Sequence, residues 1–142
     1  MNRVKRLFAV FLVFFLFSCN SPDSSPLPTE INPAEFVTVK TDRDEYSSNE
    51  EIKIFITNGF SEAVEYYGSC SLTLCQFLDG EWMCQVKDCN APKVLIPPES
   101  TSELIDNIAG STNAPFRYQF EYFVPSLDSL FVVYSNDFFV RP

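Results

Sequence analysis

Two alternating runs set the pattern of the chain. Ile52, Ile54 and Ile56 take every second position with Lys53 and Thr57 on the opposite side, and Phe116, Tyr118, Phe120 and Tyr122 alternate with Arg117, Gln119 and Glu121. A period of two sends successive side chains to opposite faces of an extended strand, so each run predicts a strand buried on one face. Beyond residue 35, shorter runs of β-branched and aromatic residues recur between turn signals, and no stretch sustains a helical period of 3.6. Strands are predicted over 36–41, 51–57, 63–67, 71–78, 81–87, 93–96, 101–108, 116–123 and 130–140. The fold class this predicts is all-β, a two-sheet sandwich of about 7–9 antiparallel strands.

The first 35 residues pattern differently. Arg3, Lys5 and Arg6 precede an unbroken apolar run, LFAVFLVFFLF, over residues 7–17. Eleven residues fall short of the roughly 20 that a membrane-spanning helix needs, but they suit the apolar region of a secretion signal. Leu16-Phe17-Ser18-Cys19 resembles the bacterial lipobox, with an aliphatic residue three places before an invariant cysteine and a small residue just before it. The resemblance implies a signal peptide over 1–18 cleaved after Ser18, a diacylglycerol thioether on Cys19, and acylation of the new amine. Each buried methylene is worth roughly 0.8 kcal/mol, so two or three chains anchor firmly where one holds weakly. Asn20 stands where an aspartate would resemble an inner-membrane retention signal, which favours the outer membrane where there is one.

Residues 20–35, NSPDSSPLPTEINPAE, place Pro22, Pro26, Pro28 and Pro33 among serines and acids with nothing to bury. Such a segment is a semi-extended tether. The expected organisation is therefore a signal peptide (1–18), a lipidated cysteine with a disordered tether (19–35) and one β domain (36–142).

That domain carries a second resemblance. VTVKTDRDEYSSNEEIKIFITNGFSEAVEYYGSC is similar to the opening of bacterial immunoglobulin-like domains of exported proteins, with a Tyr, a polar turn, a Glu and an alternating strand that ends in Thr-Asn. LIPPES resembles their PPG step with Glu99 in the place of glycine, and FRYQFEYF followed by VVYSNDFFV resembles their last two strands, including Ser135, Asn136 and Phe138. The likeness implies an immunoglobulin-like sandwich and is almost silent on activity, because sandwiches of this kind host many functions.

Cys70, Cys75, Cys84 and Cys89 remain after Cys19, and an even number in an exported domain predicts disulfides. Asp79-Gly80 is a strong signal for a two-residue type I′ hairpin turn. With that turn Leu78 faces Glu81, Phe77 faces Trp82, Cys75 faces Cys84 and, further out, Cys70 faces Cys89. Nested bridges Cys75–Cys84 and Cys70–Cys89 follow. Counting out from the turn, the first pair occupies a non-hydrogen-bonded site, where side chains come closer; the second falls at a hydrogen-bonded site on the opposite face and requires distortion or a bulge. Zinc is disfavoured for the same four residues, since C-x4-C-x8-C-x4-C lacks the usual tight knuckles. One face of the hairpin carries Cys75, Phe77, Trp82, Cys84 and Val86, the other Leu72, Leu74, Leu78 and Met83. Both faces are expected to be covered. Trp82, the one tryptophan, reads as a ring packed on a disulfide in the core rather than a ligand platform.

Charge and composition narrow the function. Of 10 basic residues three lie in the first 18 positions, which hold no acid, leaving 7 against 19 acidic residues, a net of −12. Phosphate backbones and anionic lipid would repel such a product, so no nucleic-acid partner is expected and membrane attachment falls to the anchor at Cys19. There is no histidine, which removes Ser-His-Asp and Cys-His machinery, and the four glycines form no phosphate loop. Asp42, Asp44, Glu50 and Glu51 read as a solvated turn rather than a carboxylate pair or a calcium site. No enzyme activity, cofactor or metal is expected. The sequence thus predicts a non-catalytic, membrane-anchored envelope lipoprotein whose immunoglobulin-like domain is a binding or structural accessory module for a protein or envelope partner. The alternative is a protease inhibitor acting through an exposed loop over 108–115, IAGSTNAP. A third reading, carbohydrate binding, would use exposed Tyr66, Tyr67 or Phe139.

Overall fold

The structure, a computed structural model, describes Asn32 and residues 35–85 and 87–142, within a compact unit that spans Asn32–Pro142. The expected signal segment, Cys19, the expected tether apart from Asn32 and Glu35, and Val86 lie outside the described residues. Eleven strands are described: β1 (Val37–Thr41), β2 (Glu45–Ser47), β3 (Glu51–Asn58), β4 (Val64–Tyr66), β5 (Leu72–Leu78), β6 (Glu81–Cys84), β7 (Val94–Ile96), β8 (Ser100–Asn107), β9 (Phe116–Val124), β10 (Ser129–Tyr134) and β11 (Phe139–Arg141). They form an all-β sandwich. One sheet has the order β1-β3-β8; the larger runs β6-β5-β9-β4-β7, with β10 on the other edge of β9. A two-stranded pair, β11-β2, completes the arrangement.

The two alternating runs do what their period requires. Ile52, Ile54 and Ile56 of β3 are buried against Tyr118, Phe120 and Tyr122 of β9, all within one apolar cluster that includes Val37, Val39 and Val133. Each aliphatic or aromatic side chain so removed from water stabilises the fold by about 1.5–3 kcal/mol.

The strand count exceeds the expected 7–9, and not every pairing is antiparallel. The predicted strand 130–140 divides at residues 135–138, because Asn136 turns its amide toward β1 and the neighbouring turn instead of continuing the ladder: it accepts from the Thr41 amide at 2.9 Å and donates to Thr41 Oγ1 and Asp44 Oδ1, each at 2.8 Å. The chain then resumes as β11, which pairs in parallel with β2. Strand β2 buries one side chain, Tyr46, among polar residues, so no alternation announces it.

The predicted hairpin register is present. Leu78 faces Glu81, Phe77 faces Trp82 and Cys75 faces Cys84, around a turn with Asp79 at φ 52° and Gly80 at φ 89°. Two successive positive φ values define the type I′ turn, and Gly adopts the second without steric cost. Leu72 and Leu74 enter the core, whereas Leu78 and Met83 near the turn are exposed, Met83 to 57%. The expectation that both faces are covered therefore fails at the tip, which projects past the apolar cluster.

The type II-like step at Pro97-Pro98-Glu99-Ser100 shows what the absent glycine would have done. Glu99 sits at φ 50° and is exposed. A side chain in the left-handed region carries a cost that glycine avoids, partly offset by the extra freedom of glycine in the unfolded chain. Glu99→Gly is expected to stabilise the domain by about 0.5–1 kcal/mol; a higher midpoint in thermal melting checks it, and an unchanged or lower midpoint contradicts it.

Candidate functional site

The outward face of the larger sheet is the candidate site, and its make-up follows from strand register. Because β9 buries its even-numbered residues, Arg117, Gln119, Glu121 and Phe123 point outward. The pairings of β9 lay out the rows across this face. Cys84, Cys75 and Arg117 form one row; Thr73, Gln119 and Tyr134 the next; then Glu121 with Val132; and last Leu95, Glu65, Phe123 and Leu130. Trp82 and Phe77 face each other at the hairpin end. Tyr134, Val132, Leu130, Leu95 and Phe77 are exposed apolar side chains on one sheet face, a surface of the kind that marks interaction sites.

Near the hairpin this face closes into a stack. The Arg117 guanidinium carbon lies 4.0 Å from the centre of the Trp82 ring and 4.1 Å from that of Tyr134. Trp82 leans on Phe77 with ring centres 5.3 Å apart. The cation is thus held between two π faces contributed by β6 and β10, with β5 and β9 between them. Cys75, although on the outward face, is completely buried, being bonded to Cys84 and placed opposite Arg117.

Both disulfides are present, Cys75–Cys84 and Cys70–Cys89. The Cα separation of 3.9 Å at Cys75–Cys84, beside the Gln85 N–H to Leu74 carbonyl bond of 2.9 Å, agrees with a non-hydrogen-bonded cross-strand site. Cys70 lies where the ladder breaks. Strands β4 and β5 follow one another along the same edge of β9, interrupted by a 3-10 turn over Gly68–Ser71. On the return side the register slips by one residue: continuing the hairpin, Tyr66 would face Lys93, but it faces Val94. The expected distortion at Cys70–Cys89 is this turn and slip. Its placement on the opposite face is not kept, because Cys70 and Cys89 border a shallow hollow shared with Glu121, which points outward from β9.

Trp82 is half-exposed on the outer face and packs on a cation. The expectation of a buried core ring is corrected, since the core side of the hairpin is supplied by Leu72 and Leu74. Tyr66 is buried against Phe120, with ring centres 5.4 Å apart, so it cannot serve as an exposed sugar platform. Tyr67 is exposed and Phe139 is half-buried under Arg141; the three do not share a surface. The loop 108–115 is fastened to the body: the Gly110 amide donates to Ser48 Oγ at 2.9 Å, the Thr112 amide to the Val140 carbonyl at 3.1 Å, and the Ile108 carbonyl accepts from the Asn49 amide at 2.9 Å.

The acidic turn is internally satisfied. Arg43 pairs with Glu50 at 2.7 Å and with Asp42 at 3.3 Å, and the Tyr46 hydroxyl donates to Asp42 at 2.7 Å. Burial raises the Asp42 pKa, but hydrogen bonds from Tyr46, the Lys53 amide and Arg43 outweigh it and hold the carboxyl below its ordinary range. The Ser47 amide and Arg43 do the same for Glu50. These carboxylates point to their own partners rather than converging on one another, and among the described residues no three His, Cys, Asp or Glu side chains gather as a metal site.

Three phenols are displaced upward. Burial and the Asp42 hydrogen bond push Tyr46 up to about 12, burial pushes Tyr122 up to about 12, and burial with the neighbouring Asp106 carboxylate raises Tyr118 as well. All three are neutral in folded and unfolded chains below about pH 9, so their stability contribution is complete there. As pH rises from about 10 toward 12 the unfolded chain ionises while the native state resists, and stability falls. The unfolding free energy is expected to fall between pH 9 and pH 11.5, by up to about 1.4 kcal/mol per phenol and pH unit, read as a falling melting midpoint, with phenolate absorbance from these residues appearing only as the protein unfolds. Phenolate titration of every tyrosine ahead of unfolding would contradict this.

No family model and no curated protein matches the chain. Among solved structures it is similar to Spo0M, a sporulation control protein from Bacillus subtilis, at 12% identity and a TM-score of 0.42; the match covers 75% of this chain and 50% of that one, so the chain spans about half of that protein's length.

Proposed function

We propose that this protein is an exported bacterial lipoprotein, anchored to the cell envelope through acyl chains on Cys19, whose immunoglobulin-like domain is a non-catalytic binding or structural accessory module. The observation that carries the binding role is the outward face of the larger sheet, where exposed apolar side chains flank the Trp82–Arg117–Tyr134 stack. The anchor rests on the basic and apolar segments before Cys19 and on the sequence Leu16-Phe17-Ser18-Cys19. A proline-rich tether follows and would hold the domain off the membrane. The disulfides support an oxidising exterior as the working compartment.

The test combines anchor and face. In bacteria grown with a labelled palmitate analogue, the wild-type chain should carry label and sediment with membranes, and Cys19→Ser should lose both. A full-length chain bearing a photo-crosslinking residue at Val132 should give a reproducible adduct that the same residue at Ile105, exposed on the other sheet, does not. An unlabelled wild-type chain would remove the anchor; equal adducts from both sheets would remove the assignment of the face.

A further inference from the structure

Arg117 is a cation on the outward face that has no partner among the described residues. Glu65 is paired with Lys93 at 2.6 Å, and Glu121 accepts from Gln119 at 3.2 Å. Arg117, between Trp82 and Tyr134, makes no ion pair and no hydrogen bond among the described residues. Its Nε is buried and unpartnered. The two terminal nitrogens likewise make no hydrogen bond or ion pair among the described residues, on a side chain that is half-buried. Leaving a buried or half-buried charged donor unsatisfied is costly, and in a domain this acidic a carboxylate from the chain itself would be the ordinary remedy. None is placed there.

We infer that Arg117 is the anchor of a protein-docking surface whose partner presents an Asp or Glu carboxylate ringed by apolar side chains. The inference rests on the binding role proposed above and specifies its chemistry. Three features favour this occupant. The rings of Trp82 and Tyr134 confine the guanidinium, whose fork of N–H groups can meet a carboxylate with two parallel bonds. The surroundings on the Tyr134 side, Val132 and Leu130, are exposed and apolar, which suits the desolvated rim of an interface. The face is a sheet surface rather than a concave cleft, and flat apolar surfaces engage proteins where small ligands require enclosure.

Trp82 is the one tryptophan of the chain and touches Arg117, so its fluorescence reports occupancy directly. The full-length acylated protein in non-ionic detergent is titrated with short blocked peptides carrying a central aspartate between apolar residues, and with the matching asparagine peptides. Expected is a saturable change in Trp82 emission with the aspartyl peptides and binding at least about tenfold weaker for the asparaginyl ones, the size of effect a charge-assisted bond gives. Arg117→Gln should erase that difference, and Arg117→Lys, which keeps the charge but lacks the planar fork, should retain only part of it. If Arg117→Gln fails to fold by circular dichroism, the wild-type comparison and Arg117→Lys still decide. Equal binding of the two peptide sets, discrimination that survives Arg117→Gln, or no saturable response to any aspartyl peptide overturns the inference. The palmitate and crosslinking results stand apart from all three outcomes, so loss of the carboxylate reading and loss of the anchored binding module are told apart.

Discussion

Replacing Asn58 by alanine is expected to destabilise the domain by about 3 kcal/mol, a large share of the roughly 5–15 kcal/mol available to a domain of this size. Asn58 ends β3 and is completely buried. Its Nδ2 donates to the carbonyls of Glu62, Ile96 and Pro97 at 2.8, 3.0 and 3.1 Å, and its Oδ1 accepts from the Phe60 amide at 2.9 Å. One side chain therefore satisfies backbone groups from the β3–β4 connection and the end of β7 together. Alanine fills none of these roles and takes the amide donor away from the Glu62, Ile96 and Pro97 carbonyls and the acceptor away from the Phe60 amide. Asn58→Asp should be no better, since a carboxylate would confront three carbonyl oxygens. Thermal melting with disulfides intact checks both, with a fall of roughly 15 °C expected for alanine. A loss under about 1 kcal/mol in either variant would mean that water replaces the amide.

Phe138→Ala should cost about 4 kcal/mol, within the range for truncating a fully buried aromatic. Phe138 stands where the smaller parallel pair meets the main core. Its ring stacks on Tyr118 at 5.4 Å and on Phe116 at 5.9 Å, and meets Tyr46 of β2 edge-on at 5.7 Å. Its backbone exchanges two 2.8 Å bonds with Phe116. The damage should be uneven. The amides of Phe139 and Ser48, which tie β11 to β2 through Asp44 and Arg141, should lose hydrogen-exchange protection first, while Ile54 and Phe120 in the two larger sheets keep theirs. Uniform loss across all strands would show that the small pair is not a separate unit.

These two residues also show what a sequence can and cannot convey. Both were visible as parts of a resemblance, the Thr-Asn that closes an alternating strand and the Ser-Asn-x-Phe near the end, yet neither pattern says what the side chain does. Strands β3 and β9 were legible because each buries one face along its whole length, and the hairpin because Asp79-Gly80 fixes a local register from which both cysteine pairings follow. The parallel β2–β11 pair was not, because it joins residues 94 positions apart through strands of three residues. The candidate site was half legible. Alternation places Arg117 outward, but only the strand order brings Tyr134 from β10 and Trp82 from β6 to its two sides. Nothing local foretells the 3-10 turn that shifts the register between β5–β6 and β4–β7.

The two disulfides lie 9 and 19 positions apart in sequence and sit one inside the other. Each of the four cysteines finds its partner inside this segment, whereas β3 must wait for β8, whose matching residues lie 42–56 positions later. Short loops close quickly and long ones slowly, so residues 70–89 can reach their final pairing while the rest of the chain is still searching. An oxidised hairpin offers β9 an edge whose register is already fixed, a consequence of the short spacing of four cysteines.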